Sequence, residues 1–103
     1  MALDAAQIGL ERTLDALRTL LADRFGMKRP NEIAADDPLF AVGVGLTSLE
    51  GIEFLCEVEK LFGLHIKDLD WWVYETPTLA GVAQYLIDLT NKQHAASRQP
   101  TIH

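Results

Sequence analysis

The apolar residues of the first segment follow the period of an α-helix. Asp4 and Gln7 have the spacing of a capping box, and Gly26 is a typical residue at a helix end. Gly9 weakens the first turns. The spacing therefore predicts a helix over about residues 5–25. The apolar stripe along one side of it consists of Leu10, Leu14, Leu17, Leu21 and Phe25.

A second amphipathic pattern predicts a helix that begins at Thr47–Ser48 and ends near Phe62, before Gly63. Its predicted polar face contains Glu50, Glu53, Glu57 and Lys60. Its predicted buried face contains Ile52, Leu55, Cys56, Val58 and Phe62, with Leu49, Phe54 and Leu61 on the flanks. Glu59 falls inside the apolar arc or at its rim, so the amphipathic pattern is imperfect.

The last helix is predicted to start after Thr76-Pro77-Thr78, where either threonine can cap it and Pro77 suits the first turn. It should fade near Asn91. Its predicted buried stripe contains Leu79, Val82, Ala83, Leu86, Ile87 and Leu89. Upstream, residues 68–74 predict a short helical turn. The breaker-rich stretch 27–47 predicts a long connection, whose scattered apolar residues should pack onto the helices.

No window alternates apolar and polar residues between hairpin turns, as strands would. The sequence therefore predicts an all-α fold, a four-helix bundle with a long first loop and a short third helix. With 103 residues, of which 49% are hydrophobic, it suits a single domain. We expect that domain over residues 1–90, followed by a polar, disordered tail over 91–103.

Charge and cysteine content exclude several classes of function. The net charge is −6, which argues against nucleic acid as the main partner and favours basic protein partners. A single cysteine, Cys56, excludes an internal disulfide and a zinc site with several cysteines. The sequence shows neither a signal peptide nor a membrane-spanning segment. We therefore expect a cytoplasmic protein that does not act at a membrane.

The most informative local pattern is Gly45-Leu46-Thr47-Ser48-Leu49-Glu50, where the long connection meets the acidic helix. A serine at a helix N-terminus has two interpretations. It can cap the helix through its hydroxyl. Alternatively, it can be the attachment point of an anionic group, because free N–H groups and the helix dipole stabilise a phosphate there.

This pattern resembles the phosphopantetheine attachment motif of acyl and peptidyl carrier proteins, in which glycine, a variable residue and aspartate or histidine precede the modified serine. Gly45 and Ser48 match that motif, whereas Thr47 replaces the usual aspartate. The resemblance extends over about residues 5–90. Its other matching segments are residues 37–40, 57–63 and 76–79.

The resemblance implies a covalent 4'-phosphopantetheine on Ser48, transferred from coenzyme A by a phosphopantetheinyl transferase with Mg²⁺. The arm would hold acyl or aminoacyl groups as thioesters and deliver them from a loading ligase or transferase to later biosynthetic enzymes. We expect a monomer whose docking surface surrounds the serine. The predicted partner-binding residues are Thr47, Leu49, Glu50, Glu53 and Glu57. Trp71 and Trp72 belong either to the core or to an acyl groove or partner interface.

The sequence contains no convincing catalytic or metal-binding arrangement. Ser48 lacks partners for a triad, and Cys56 is expected to be buried rather than to act with His65. We therefore predict a carrier rather than an enzyme. Its length favours a discrete carrier, and Thr47 and the aromatic segment favour a specialised pathway of the polyketide or nonribosomal peptide type. The alternatives are a carrier for housekeeping fatty-acid synthesis and a helical protein-interaction module without a prosthetic group.

Overall fold

Three α-helices account for most of the part of the chain that the computed structural model describes, namely residues 2–26, 30–39, 44–66 and 78–98. They are α1 (Ala5–Phe25), α2 (Ser48–Phe62) and α3 (Leu79–Arg98), and a short 3₁₀ turn covers Pro30–Glu32. The prediction of an all-helical fold is confirmed for these residues. None of these helices is long and apolar enough to cross a membrane. The predicted short helix at 68–74, and with it the count of four helices, lies outside the described residues.

Helix α1 has the predicted bounds and buries three residues of the predicted stripe, Leu14, Leu17 and Leu21. The Gln7 backbone N–H donates to the Asp4 carboxylate (3.0 Å), and Gly26 ends the helix with φ of +69°. Gly9 interrupts the helix with φ of +86° and ψ of 174°. The assignment of Leu10 to the buried stripe was wrong, because this kink changes the helical phase and leaves Leu10 40% exposed. The residues that α1 buries are Ala5, Thr13, Leu14, Leu17 and Leu21.

Helix α2 begins and ends where the sequence predicted, but it is rotated about its axis relative to the predicted face. Phe54, which was placed on a flank, is fully buried and packs edge-to-face against Phe25, with ring centroids 5.8 Å apart. The predicted burial of Ile52 and Cys56 was wrong, since both are exposed. The apolar residues of α2 are distributed around most of its circumference. Only the packing of the helix against the rest of the protein decides which of them are buried. Its buried residues are Gly51, Phe54, Leu55, Val58 and Phe62.

Glu59 lies at the rim of the core, as one of the two predicted alternatives has it. Its side chain is 27% exposed and accepts a hydrogen bond from the Ile66 backbone N–H (2.8 Å). The same carboxylate oxygen is 3.5 Å from Nδ1 of His65, which is largely exposed. Glu59 therefore fixes the chain just after α2 ends.

The connection between α1 and α2 packs onto the helices, as its scattered apolar residues predicted. Ile33, Leu39 and Leu46 are buried. The carbonyl of Ile33 accepts a hydrogen bond from the Arg18 guanidinium (3.0 Å), which fixes the connection to α1. At its other side, Pro38 forms an isolated antiparallel bridge with Thr78. Phe40 and Val42 lie outside the described residues.

Helix α3 is capped by Thr78, whose hydroxyl accepts a hydrogen bond from the Gly81 backbone N–H (3.0 Å). It continues past Asn91, where it was predicted to fade, and ends at Arg98. Residues 92–98 contain no glycine or proline, the two residues that most disfavour a helix. The next proline along the chain is Pro100, two residues after Arg98. The predicted boundary between the domain and its tail at residue 90 stays a prediction. Residues 99–103 of the predicted tail lie outside the described part. Over residues 79–93, where burial is described, α3 buries Leu79, Val82, Ala83, Leu86 and Thr90.

Candidate functional site

The N-terminus of α2 is closed by a reciprocal capping box between Thr47 and Glu50. The backbone N–H of Glu50 donates to Oγ1 of Thr47 (3.1 Å), and the backbone N–H of Thr47 donates to Oε1 of Glu50 (3.0 Å). Thr47 has an extended backbone, with φ of −74° and ψ of 166°, as an N-cap residue should. Thr47 is therefore the cap, and the interpretation of Ser48 as the capping residue is wrong.

Ser48 is the first helical residue of α2, and its side chain is exposed. Because Thr47 supplies the capping oxygen, the Ser48 hydroxyl is not needed to terminate the helix. The first four N–H groups of a helix have no partner within it. The capping box satisfies that of Glu50, and Gly51 donates to the Thr47 carbonyl (2.8 Å). Within the described part of the chain, the N–H groups of Ser48 and Leu49 have no hydrogen-bond acceptor, and they lie at the positive end of the helix dipole.

The residues before Ser48 hold it at the surface. Leu46 is buried, and its backbone N–H donates to the Leu39 carbonyl (2.9 Å). Gly45 precedes it with φ of +83°, a conformation that favours glycine. The chain is thus anchored two residues before the serine and turns sharply before that anchor. This arrangement explains physically why glycine and leucine occupy these two positions in this chain.

The predicted partner-binding residues all lie on the same helix end as Ser48 or along α2. Leu49 is 67% exposed, and Glu53 is exposed as well. Glu57 differs from Glu53 because it is half-buried and close to two cations, Arg24 (3.5 Å) and Lys60 (3.7 Å). The negative charge of Glu57 is therefore partly compensated within the protein.

A comparison with protein families shows to which family the chain belongs. The family described as the phosphopantetheine attachment site matches residues 15–86, which is more than half of the chain. The chain belongs to this family. The matched residues include α2 with its capped N-terminus and reach from α1 into α3. No curated protein and no solved structure matches the chain significantly.

Members of the family carry a covalently attached 4'-phosphopantetheine, interact with phosphopantetheinyl transferases and biosynthetic enzymes, and are generally carriers rather than catalysts. The residues at the start of α2 fit this group. Ser48 provides an exposed hydroxyl to which a phosphate can be esterified, and the N–H groups at the helix end stabilise the resulting negative charge.

In the described part of the chain, Cys56 and His65 do not form a second site. Cys56 is exposed, whereas His65 lies beyond the end of α2 and faces Glu59. Among the described residues, no cluster of three or more side chains suits a metal ion. Trp71 and Trp72, the predicted acyl-groove or interface residues, lie outside the described part.

Sequence reasoning missed a solvent-open groove of about 330 Å³ between the end of α1 and α2. It was missed because Ile52 and Cys56 were assigned to the core. An apolar pattern that extends around much of α2 was the only indication that some of these residues would remain uncovered. The described residues that line the groove are Arg24, Phe25, Ile52, Glu53, Cys56 and Glu57.

Proposed function

We propose that the protein carries acyl or aminoacyl intermediates as thioesters on a phosphopantetheine arm attached to Ser48. The observation that carries this proposal is the exposed Ser48 hydroxyl at the start of a helix that Thr47 already caps. A serine that served as the cap would have its hydroxyl engaged with the backbone. The arm, when present, supplies the reactive thiol, and the protein supplies its attachment and presentation.

The residues next to Ser48 have a defined role in this proposal. The N–H groups of Ser48 and Leu49 stabilise the phosphodiester that attachment creates. Leu46 and the Thr47–Glu50 capping box keep the attachment point in place while the arm moves. A rigid base and a tethered reactive group together raise the effective concentration of the cargo at each partner enzyme.

Partner enzymes dock, in this proposal, on the surface formed by Thr47, Leu49, Glu50, Glu53 and Glu57. Leu49 offers exposed apolar area beside Ser48, and Glu53 offers an exposed negative charge. Charge-dependent docking is fast and sensitive to salt, which suits a carrier that must also leave each enzyme. The partners are the phosphopantetheinyl transferase, a loading ligase or transferase, and the later enzymes of the pathway.

We further propose a specialised pathway of the polyketide or nonribosomal peptide type. Thr47 in place of the usual aspartate and the aromatic sequence at 71–74 favour it over housekeeping fatty-acid synthesis. Mass spectrometry of the protein isolated from its native cell identifies the cargo. A simple fatty acyl group there would overturn the specialised assignment and leave the carrier role intact.

The attachment itself is tested by incubating the protein with coenzyme A, Mg²⁺ and a permissive phosphopantetheinyl transferase. Intact mass should increase by one phosphopantetheine group, and Ser48→Ala should abolish the increase. The sequence has one other serine, Ser97, so Ser97→Ala is the matched control and should be loaded normally. An unchanged mass of the wild-type protein would reject the carrier role and favour an interaction module without a prosthetic group.

A further inference from the structure

The groove between α1 and α2 lies on the same side of α2 as Ser48. Ser48, Ile52 and Cys56 are each separated by four residues, so they follow one another along one helical face. All three are exposed. Ile52 and Cys56 line the groove, and Phe25 at the end of α1 lines it from the opposite side. A flexible group attached to Ser48 that extends along this face therefore reaches the groove.

A phosphopantetheine arm is long enough to reach it. Eight residues at a rise of 1.5 Å separate Ser48 from Cys56 by about 12 Å along the helix axis. An extended chain advances about 1.1–1.2 Å per bond, so the roughly 14 bonds from the serine oxygen to the thiol sulfur give a reach of about 16 Å. The terminal thiol can therefore reach Cys56 with slack remaining.

The chemistry of the groove suits the part of the arm that follows the phosphate. This part is neutral and contains two amide groups and a dimethyl-substituted carbon. Phe25 and Ile52 offer apolar contacts, and the carboxylates of Glu53 and Glu57 accept hydrogen bonds from amide N–H groups. The volume of about 330 Å³ lies within the range typical of small-molecule pockets, about 300–1,000 Å³.

The two walls of the groove are joined by an ion pair. Nε of Arg24, on α1, lies 3.5 Å from a carboxylate oxygen of Glu57, on α2. The edge-to-face contact between Phe25 and Phe54 connects the same two helices. The groove is therefore formed before any ligand binds, and an arm does not have to open it.

We propose that this groove is a resting subsite for the unloaded phosphopantetheine arm, in which its terminal thiol comes within reach of Cys56. The inference rests on the proposed attachment at Ser48. It adds that the arm occupies a defined position on its own carrier between reactions. Cys56 then serves as a built-in reporter, because two neighbouring thiols and one molecule of hydrogen peroxide give one disulfide and two molecules of water.

The first experiment compares the backbone amide NMR shifts of the apo protein with those of the enzymatically loaded holo protein. Loading should shift the amides of Arg24 and Phe25, which are on α1 and distant in sequence from Ser48. An arm that remained in solvent would shift only the residues near Ser48. If the α1 shifts appeared only after a loading enzyme was added, the groove would belong to that partner, and the subsite would be rejected.

The second experiment treats dilute holo protein with hydrogen peroxide and follows an intramolecular disulfide by intact mass. We expect a disulfide that forms at a rate independent of protein concentration and is abolished by Cys56→Ser. Ile52→Glu, at an exposed position, should slow it about ten-fold, because the arm then relies on its tether alone for effective concentration. The rates of Cys56 alkylation in the apo wild type and in apo Ile52→Glu are used to correct the disulfide rates for any change in thiol reactivity.

The outcomes separate the two proposals. A wild-type protein that takes up no phosphopantetheine fails both. A protein that is loaded on Ser48, but shows no shift on α1 and forms the disulfide equally fast with and without Ile52→Glu, keeps the carrier function and overturns the resting subsite.

Discussion

Thr47 and Glu50 cap each other across the first turn of α2, each donating its backbone N–H to the side chain of the other at 3.0–3.1 Å. Ser48, the first residue of the helix, lies between these two residues, is exposed, and is not needed as the cap. Thr47, which departs from the family motif, thus caps the helix as an aspartate at the same position could, since both are good N-cap residues. It does so without a negative charge.

Substitutions of Thr47 test whether this residue stabilises the helix as its cap. Thr47→Ala removes the oxygen that accepts from Glu50 and should lower the free energy of unfolding by about 1 kcal/mol. Thr47→Asp retains an acceptor and should leave stability within about 0.5 kcal/mol of wild type. Urea denaturation followed by circular dichroism measures both. Equal stability of Thr47→Ala and wild type would show that the capping box contributes nothing.

The same pair of variants separates stability from recognition by the transferase. Thr47→Asp restores the usual residue of the family motif and should raise kcat/KM for phosphopantetheine transfer. Thr47→Ala should lower it less than Ser48→Ala, which abolishes it. A Thr47→Asp variant that is loaded no faster than wild type would show that the charge at this position is irrelevant to the enzyme used.

The acidic residues along α2 should contribute unequally to docking. Glu53 is exposed and forms no ion pair with the described residues, whereas Arg24 and Lys60 partly compensate Glu57. We expect Glu53→Lys to lower kcat/KM of the transferase about ten-fold at low salt and Glu57→Lys to lower it less. Both effects should shrink as salt screens the charges. The measurement is the initial rate of loading at two ionic strengths.

The control for this comparison is Glu11→Lys, which changes the net charge by the same amount at an exposed position on α1. It should leave kcat/KM close to the wild-type value, and all three variants should retain the helical circular dichroism of the wild type. If Glu11→Lys had the same effect as Glu53→Lys, overall charge rather than a docking surface would govern the reaction.

The rotation of α2 makes a prediction about stability. Phe54 is fully buried, so Phe54→Ala should destabilise the protein by about 3–5 kcal/mol. Ile52→Ala, at a position 41% exposed, should cost about 1 kcal/mol or less. Chemical denaturation gives both values. The opposite order would mean that the helix buries the face predicted from the sequence pattern.

The kink at Gly9 makes another prediction. In a continuous helix, Gly9→Ala would stabilise the protein by up to about 1 kcal/mol. At φ of +86° and ψ of 174°, however, a side chain is strained, and we expect a loss of about 1–3 kcal/mol although no atom within 4 Å obstructs the new methyl group. The thermal unfolding midpoint measures the sign. A higher midpoint than wild type would contradict the kink.

The sequence by itself was sufficient for the features that depend on neighbours along the chain. The bounds of α1 and α2 and the cap at Asp4 follow from local backbone chemistry. The sequence left the cap of α3 open between two threonines, and the structure decides for Thr78. The family motif around Ser48 was equally visible there, because it occupies a few consecutive residues. The resemblance identified the family that the match over residues 15–86 then showed.

Only the tertiary structure decided which side of each helix is covered. Leu10, Ile52 and Cys56 carry apolar side chains at helical spacing, yet all three are exposed, while Phe54 is buried. A kink at one glycine shifted the phase of α1, and apolar residues around most of α2 permitted more than one packing face. Burial depends on contacts between segments distant in the chain, so the groove beside Ser48 became visible only once α1 and α2 were placed together.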